Sequence, residues 1–454
     1  MVINLKEVLN EPVKVGFVSL GCPKNQLDTE VMLKELYDEG FEIVSEETEA
    51  DIIIINTCAF IESAKKEAID NIIDIGWLKE HHTLKGIVVT GCLAERYRDS
   101  IFEELPEVDA ILGVGSIHSI CDAVRSVAKG EKFSRYEDKN NVKLGGERII
   151  TTPEYTAYLK VAEGCDNRCT YCAIPGIRGG FRSRPMDEII AEAKELSESG
   201  ELKELCVIAQ DTTRYGLDLY GSYALAQLLQ RLCDETDIPW IRILYCYPDK
   251  ITDELIDVIK KNDRIVKYLD IPIQHISDPV LKRMNRHGDS ALIRSVFEKL
   301  RREIPGIVLR TTAIVGFPGE TEEDFTALCE FVKEMKFEHF GAFTYSREED
   351  TPAYDFEDQI DEQVKQDRFD IIMREQLDIN ADLNEKKIGQ TVSVLCEDYD
   401  EVSQTYFGRS EADAPEIDGK VYFSAKRGSI EPGQFVNVKI REVCDYDLIG
   451  DICK

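Results

Sequence analysis

Runs of consecutive apolar residues, separated by stretches of helical spacing, dominate the first part of the chain. VKVGFVSL (13–20), DIIIIN (51–56) and GIVVT (86–90) predict strands covered on both faces, as in a parallel sheet. Between the first two, DTEVMLKELYDEG sets Met32, Leu33, Leu36 and Tyr37 on one helical face, with Asp28 as the expected N-cap and Gly40 as the stop. Alternating strand and helix predict a doubly wound α/β domain over residues 1–130.

From 131 to 153 the periodicity lapses into a polar stretch with paired glycines, the expected linker. A second series follows: TAYLKVA (156–162), LCVIAQ (205–210), IRILYCY (241–247), YLDIPI (268–273), IVLRTTAIVG (307–316) and HFGAFTY (339–345). Six βα repeats over 154–360 predict a full or partial TIM-type barrel, with its chemistry at the C-terminal mouths of the strands. Gln210, Asp211, Gln274, His275 and Tyr345 to Arg347 gather at those mouths. A polar amphipathic segment at 361–386 is expected to be a connecting helix. Five short strands within 387–454 then predict an OB-like β-barrel.

No run of apolar residues is long enough to span a membrane, and MVINLKEVLNEP (1–12) has neither a basic start nor a continuous apolar segment, so a cytoplasmic protein is expected. The net charge of −32, from 55 basic and 87 acidic residues, opposes unspecific attraction to nucleic acid and favours a basic partner, although it serves solubility equally well. Fourteen cysteines in so long a chain point to reduced thiols and metal chemistry rather than disulfides.

Three of them, Cys165, Cys169 and Cys172, crowd into EGCDNRCTYCAIP (163–175), after the first strand of the second series. Structural zinc takes four ligands, and no fourth Cys or His lies nearby. Three thiolates suit an iron-sulfur cluster whose fourth iron stays open to a reactant. Cys22, Cys58 and Cys92 each follow a strand of the first series within two residues of its end. In an open α/β sheet such positions share one edge, so residues far apart in sequence form a candidate second trio.

CxxxCxxC in this setting resembles the radical S-adenosylmethionine superfamily. The resemblance implies a [4Fe-4S] cluster that binds S-adenosylmethionine and passes one electron to its sulfonium, which needs a low-potential donor such as flavodoxin. IVGFPGET (314–321) resembles that superfamily's adenosylmethionine-contacting segment, which implies Gly316, Pro318 and Glu320 as contacts; taken alone, Gly316, Pro318 and Gly319 are more often a turn. Gln210 at a strand end is a weaker candidate contact. The second trio, the radical barrel and the small β-barrel together resemble the methylthiotransferases from end to end, with the tail as their TRAM domain. Two [4Fe-4S] clusters are then implied, the one at Cys22, Cys58 and Cys92 holding the sulfur to be inserted.

SLGCPKNQLDTE (19–30), EGCDNRCTYCAIPGIRGGFRSRP, YLDIPIQH and IVGFPGETEEDF resemble the branch that methylthiolates an aspartate β-carbon of ribosomal protein uS12, whereas tRNA-modifying relatives typically carry a GCQMN-like sequence at Gly21 to Asn25. A tRNA adenosine methylthiotransferase is the same-class alternative, and a non-catalytic iron-sulfur or zinc protein the other. The tail holds nine basic and thirteen acidic residues over 386–454, which suits a basic protein better than RNA. Asp398, Asp400, Glu401 and Asp413 are candidates to meet that partner, or form a solvated rim. Tyr406, Phe407 and Phe423 are expected in the barrel core. Cys121, Cys206, Cys233, Cys246, Cys329, Cys396, Cys444 and Cys453 are assigned to packing, and the protein is expected to be a monomer.

Overall fold

A computed structural model describes residues 12–453. The reading of the N-terminal residues as lacking a leader therefore lies outside the described residues, Pro12 apart. The first sheet is parallel, in the order β2-β1-β3-β4-β5-β6, from β1 (Lys14–Ser19), β2 (Glu42–Ile43), β3 (Ile52–Thr57), β4 (Gly86–Gly91), β5 (Ala110–Leu112) and β6 (Phe133–Arg135). β3 and β4 are wholly buried because helices cover both faces. Ala68, Ile72 and Ile75 pack on one side, and Met32, Leu36, Ile120 and Val124 on the other. The chain turns to opposite sides of β1 and β3, which makes their C-terminal ends the switch point where such folds place ligands.

Two expectations are corrected here. The first helix runs Pro23–Asp38, so Asp28 lies inside it rather than at its N-cap. Pro23 at the first helical position sets the start, because its fixed φ suits the first turn and its missing N–H has no partner to lose. The supposed linker is also partly structured. β6 extends the first sheet, Ile149 N–H donates to Glu30 O at 3.1 Å, and Thr151 N–H and hydroxyl donate to the Glu30 carboxylate.

The second sheet is an open parallel arc, β14-β13-β12-β11-β10-β7, so the barrel is partial. Its strands are β7 (Thr156–Lys160), β10 (Glu204–Ile208), β11 (Trp240–Ile243), β12 (Ile265–Asp270), β13 (Val308–Val315) and β14 (His339–Thr344). A short antiparallel pair, β8 (Ala162–Glu163) and β9 (Arg182–Ser183), brackets the cysteine loop. Along β13 burial alternates: Leu309, Ala313 and Val315 enter the main core, while Arg310, Thr312 and Ile314 are half-buried on the other face.

The helix Glu362–Glu385 does more than connect. Ile372 and Ile379 join the barrel core, Arg368 pairs with Glu320 at 2.8 Å, and Gln376 donates to Phe337 O at 3.0 Å. Beyond it, β15 (Thr391–Asp400), β16 (Thr405–Ser410), β17 (Val421–Ser424), β18 (Phe435–Cys444) and β19 (Asp447–Ile452) close a barrel. Tyr406 and Phe423 are core, but Phe407 alternates outward against Tyr422 and Lys420. Cys444 and Cys453 are exposed, unlike the other packing cysteines, because they lie at the end of β18 and near the end of the chain, whereas Cys121 is half-buried and packs against the core of the first domain. Asp413 is buried as the acceptor of Ser410 Oγ at 2.6 Å, which removes it from any partner surface.

The segment between β16 and β17 enters the concave face of the arc. Arg242 donates to Glu411 O at 3.0 Å, His339 meets Ala412 O at 2.8 Å, and Asp418 pairs with Arg310 at 2.6 Å. Ala414 packs with Tyr158 and Tyr268. The arc is thereby filled from the C-terminal barrel.

Candidate active site

Cys165, Cys169 and Cys172 lie on the loop between β8 and β9, which Arg168 turns with φ +49° and Cys172 N–H closes onto Cys169 O at 3.1 Å. Their thiols have few partners. Cys169 Sγ lies 2.9 Å from Tyr247 Oη, and Asn167 donates weakly to Cys165 Sγ at 3.5 Å. Burial pushes the Cys165 thiol up to about 11 and the Cys172 thiol up as well, with the neighbouring cysteines adding to both. Arg286, stacked 3.9 Å over the Tyr247 ring, supplies a buried cation beside them.

The other trio forms at the switch point. Gly21, with φ +93°, lets the chain pass so close to the β3 end that an added Cβ would stand 2.8 Å from Cys58 Cβ. Cys22 follows it at the head of the first helix, and Cys92 heads the helix after β4. Burial pushes Cys58 up and Cys92 up to about 12, Arg178 pulling the other way in both cases.

The two loops share one core and one charge network. Ala173 and Ile177, just past Cys172, pack in the same apolar cluster as Cys92, Leu93 and Ala94. Arg178 is buried with Nη2 3.5 Å from Cys92 Sγ and 2.8 Å from Asn25 Oδ1, and with Nη1 2.5 Å from Asp28 and 3.5 Å from Glu163. Lys160 completes the ring, 2.8 Å from both Asp28 and Glu163. Burial pushes Glu163 up, but Lys160 and Arg178 outweigh it and hold the carboxyl at about 2. Glu163 immediately precedes the CxxxCxxC loop, so one side chain, Arg178, spans from one trio to the shoulder of the other.

A second clamp lies alongside. Arg96 donates to Ala59 O at 3.0 Å and pairs with Glu348 at 2.8 Å, while Lys65 reaches Glu348 at 3.2 Å. Beside this clamp a cavity of about 430 Å³ opens between residues 60–63 of the first domain and the ends of β12 to β14, lined by Phe60, Tyr171, Gln274, Ile314 and Phe343.

The expected cofactor contacts divide. Gln210 donates to Glu163 and leaves its buried Oε1 without a partner. Gly316 has φ +72°, and the space beside its α-carbon is filled by Lys365; Glu320 is spent on Gly316 N–H at 2.9 Å, Phe317 N–H at 3.3 Å and Arg368. Gln210 therefore keeps an open acceptor and Glu320 shapes a turn. Among the described residues no three His, Cys, Asp or Glu side chains converge on a single ion. Cluster thiolates each take a different iron, so they stand apart by design. Buried thiols with weak partners fit such a group, since iron in place of the proton offsets what burial costs the thiolate.

Residues 14–113 match the uncharacterized protein family UPF0004, residues 159–332 the radical SAM superfamily, and residues 388–453 the TRAM domain. The chain is 49% identical over 443 residues, 97% of its own length and 99% of the relative's, to the ribosomal protein uS12 methylthiotransferase RimO of Desulforamulus reducens. It is 51% identical to the RimO of Caldanaerobacter subterraneus subsp. tengcongensis, with 96% and 99% covered. The chain belongs to the RimO family. The radical S-adenosylmethionine methyltransferase TsrM of Kitasatospora setae shares its fold, with a TM-score of 0.54 at 15% identity over 76% of this chain and 77% of that one.

Sequence patterns alone left Arg178, Lys160 and Glu163 without roles and gave Asp28 only that of a helix cap. The available signal was Lys160 inside the otherwise apolar strand TAYLKVA, since a charge there must find a buried partner.

Proposed function

We propose that this chain is a radical S-adenosylmethionine enzyme that attaches a methylthio group to the β-carbon of an aspartate of ribosomal protein uS12, acting in the cytoplasm as a monomer. The observation that carries it is the pair of cysteine trios brought together through Arg178, in a chain alike to RimO over nearly its whole length. Cys165, Cys169 and Cys172 would hold one [4Fe-4S] cluster and Cys22, Cys58 and Cys92 the other. When bound, the first with S-adenosylmethionine supplies the radical that removes hydrogen, and the second supplies the sulfur.

The protein's own residues do the rest. Arg178, Asp28, Lys160 and Glu163 hold the two loops at a set separation, and Arg96 with Glu348 holds the Cys58 loop to the barrel. Gln210 Oε1 is placed to accept a hydrogen bond from bound S-adenosylmethionine, and Glu320 fixes the turn that carries Gly316 and Pro318 alongside the cofactor. The segment between β16 and β17 keeps water from the arc, and the cavity beside Phe60 and Phe343 admits a substrate loop. The electron donor is a low-potential protein of flavodoxin type, and RNA is not a direct partner.

The test is anaerobic reconstitution with iron and sulfide, then incubation with S-adenosylmethionine, reductant and recombinant uS12. One methylthio mass on a uS12 aspartate is expected. Product on tRNA instead, or zinc without cofactor cleavage, would overturn the reading.

A further inference from the structure

Resting on the reading that the reacting group is an aspartate side chain, we infer that Lys24 recognises its carboxylate and makes the site specific for an acidic side chain. Lys24 follows Cys22 by two positions and is 6% exposed. The other buried cations around it hold carboxylates: Lys160 has Asp28 and Glu163, Arg178 has Asp28, and Arg310 has Asp418 with Asp270 at 3.8 Å. Lys24 does not. Its ammonium sits 3.1 Å above the Tyr245 ring, and among the described residues no carboxylate lies within ion-pair distance of it. A ring face is a weaker partner for an ammonium than a carboxylate, and Cys22, Glu163 and Asp270 act on Lys24 only through space, so the cation keeps the capacity to take an anion directly.

Tyr245 strengthens the case independently. It is a non-glycine residue held at φ +62°, a conformation that persists only where surroundings enforce it and that collects at functional sites. Its N–H is tied to Asp270 Oδ2 at 3.1 Å, which fixes the ring over Lys24. Cys22 and Tyr245, which flank it, are both half-buried, so the ammonium lies close to the surface between the Cys22 trio and the mouth of β11. A carboxylate entering there gains a charge-assisted hydrogen bond; the isosteric amide gains less and leaves Lys24 uncompensated.

The test is equilibrium binding of uS12, and of uS12 with the target aspartate changed to asparagine, to the fully loaded enzyme. Wild type should favour the aspartate form by about 10- to 100-fold. Lys24→Met should bind the aspartate form as weakly as the asparagine form with iron content unchanged, and Lys24→Arg should keep the preference. Equal binding of both forms by wild type, or a preference surviving in Lys24→Met, overturns the inference, as does a variant that changes iron content alone, which would make Lys24 a counter-charge to the metal centre. Failure of the broader reading looks different: wild type then adds no methylthio group to uS12 and binds neither form.

Discussion

Arg178 is the side chain on which the arrangement of the site depends most directly. It is buried and meets Asp28, Glu163, Asn25 and Cys92 at once. Arg178→Ala leaves the two buried carboxylates of Asp28 and Glu163 to share the single charge of Lys160, and losing one partner of such a buried network costs about 3–5 kcal/mol. The denaturation midpoint in urea should fall accordingly, and Arg178→Lys, which keeps charge but loses the fork, should recover only part. Among the cysteines, Cys169→Ala should abolish S-adenosylmethionine cleavage. Cys58→Ala should leave some cleavage and give no methylthio product, and product from that variant would refute the division of labour between the trios.

At the scale of elements, the contact between arc and C-terminal barrel is ionic at its core. Burial pushes Asp418 up but His339 and Arg310 hold it below the ordinary carboxylate range, and Arg242 with Arg409 does the same for Glu204 against its burial. A depressed folded value means the stabilisation is complete above the unfolded value, near pH 4, and is lost as pH falls through the folded one. Trp240 packs on Phe435 across this contact with ring centroids 4.8 Å apart, and the chain's other tryptophan is Trp77. In a Trp77→Phe background the fluorescence should hold steady from neutrality to about pH 5 and shift below about pH 4. A shift complete by pH 6 would contradict the assignment.

For the molecule as a whole, productive chemistry needs the first domain and the barrel in register. Arg96→Ala removes the grip on both Ala59 O and Glu348 while leaving every cysteine in place. Displacement of about 1 Å at a reacting centre costs on the order of 10²-fold in rate. The ratio of methylthio product to 5'-deoxyadenosine should therefore drop by about that factor, with cleavage and iron content retained, and amide exchange should rise in residues 58–63 and 346–351. Loss of cleavage in parallel with product would show that the clamp serves folding rather than register.

The strands, the three successive sheets and the places of the six cysteines on them were legible in the chain because each is written locally: apolar runs for β3 and β4, tight spacing for Cys165 to Cys172, and a strand end before each of Cys22, Cys58 and Cys92. Asp28 was misread for the same reason, since local pattern offers a cap to any aspartate before an apolar face, whereas its actual partners, Lys160 and Arg178, stand 132 and 150 residues away. The open arc, the inward segment between β16 and β17, and the lone cation Lys24 facing Tyr245 were likewise decided only on folding. Which charge is matched, and by whom, depends on elements distant in the chain becoming neighbours, and periodicity within one segment carries no record of that.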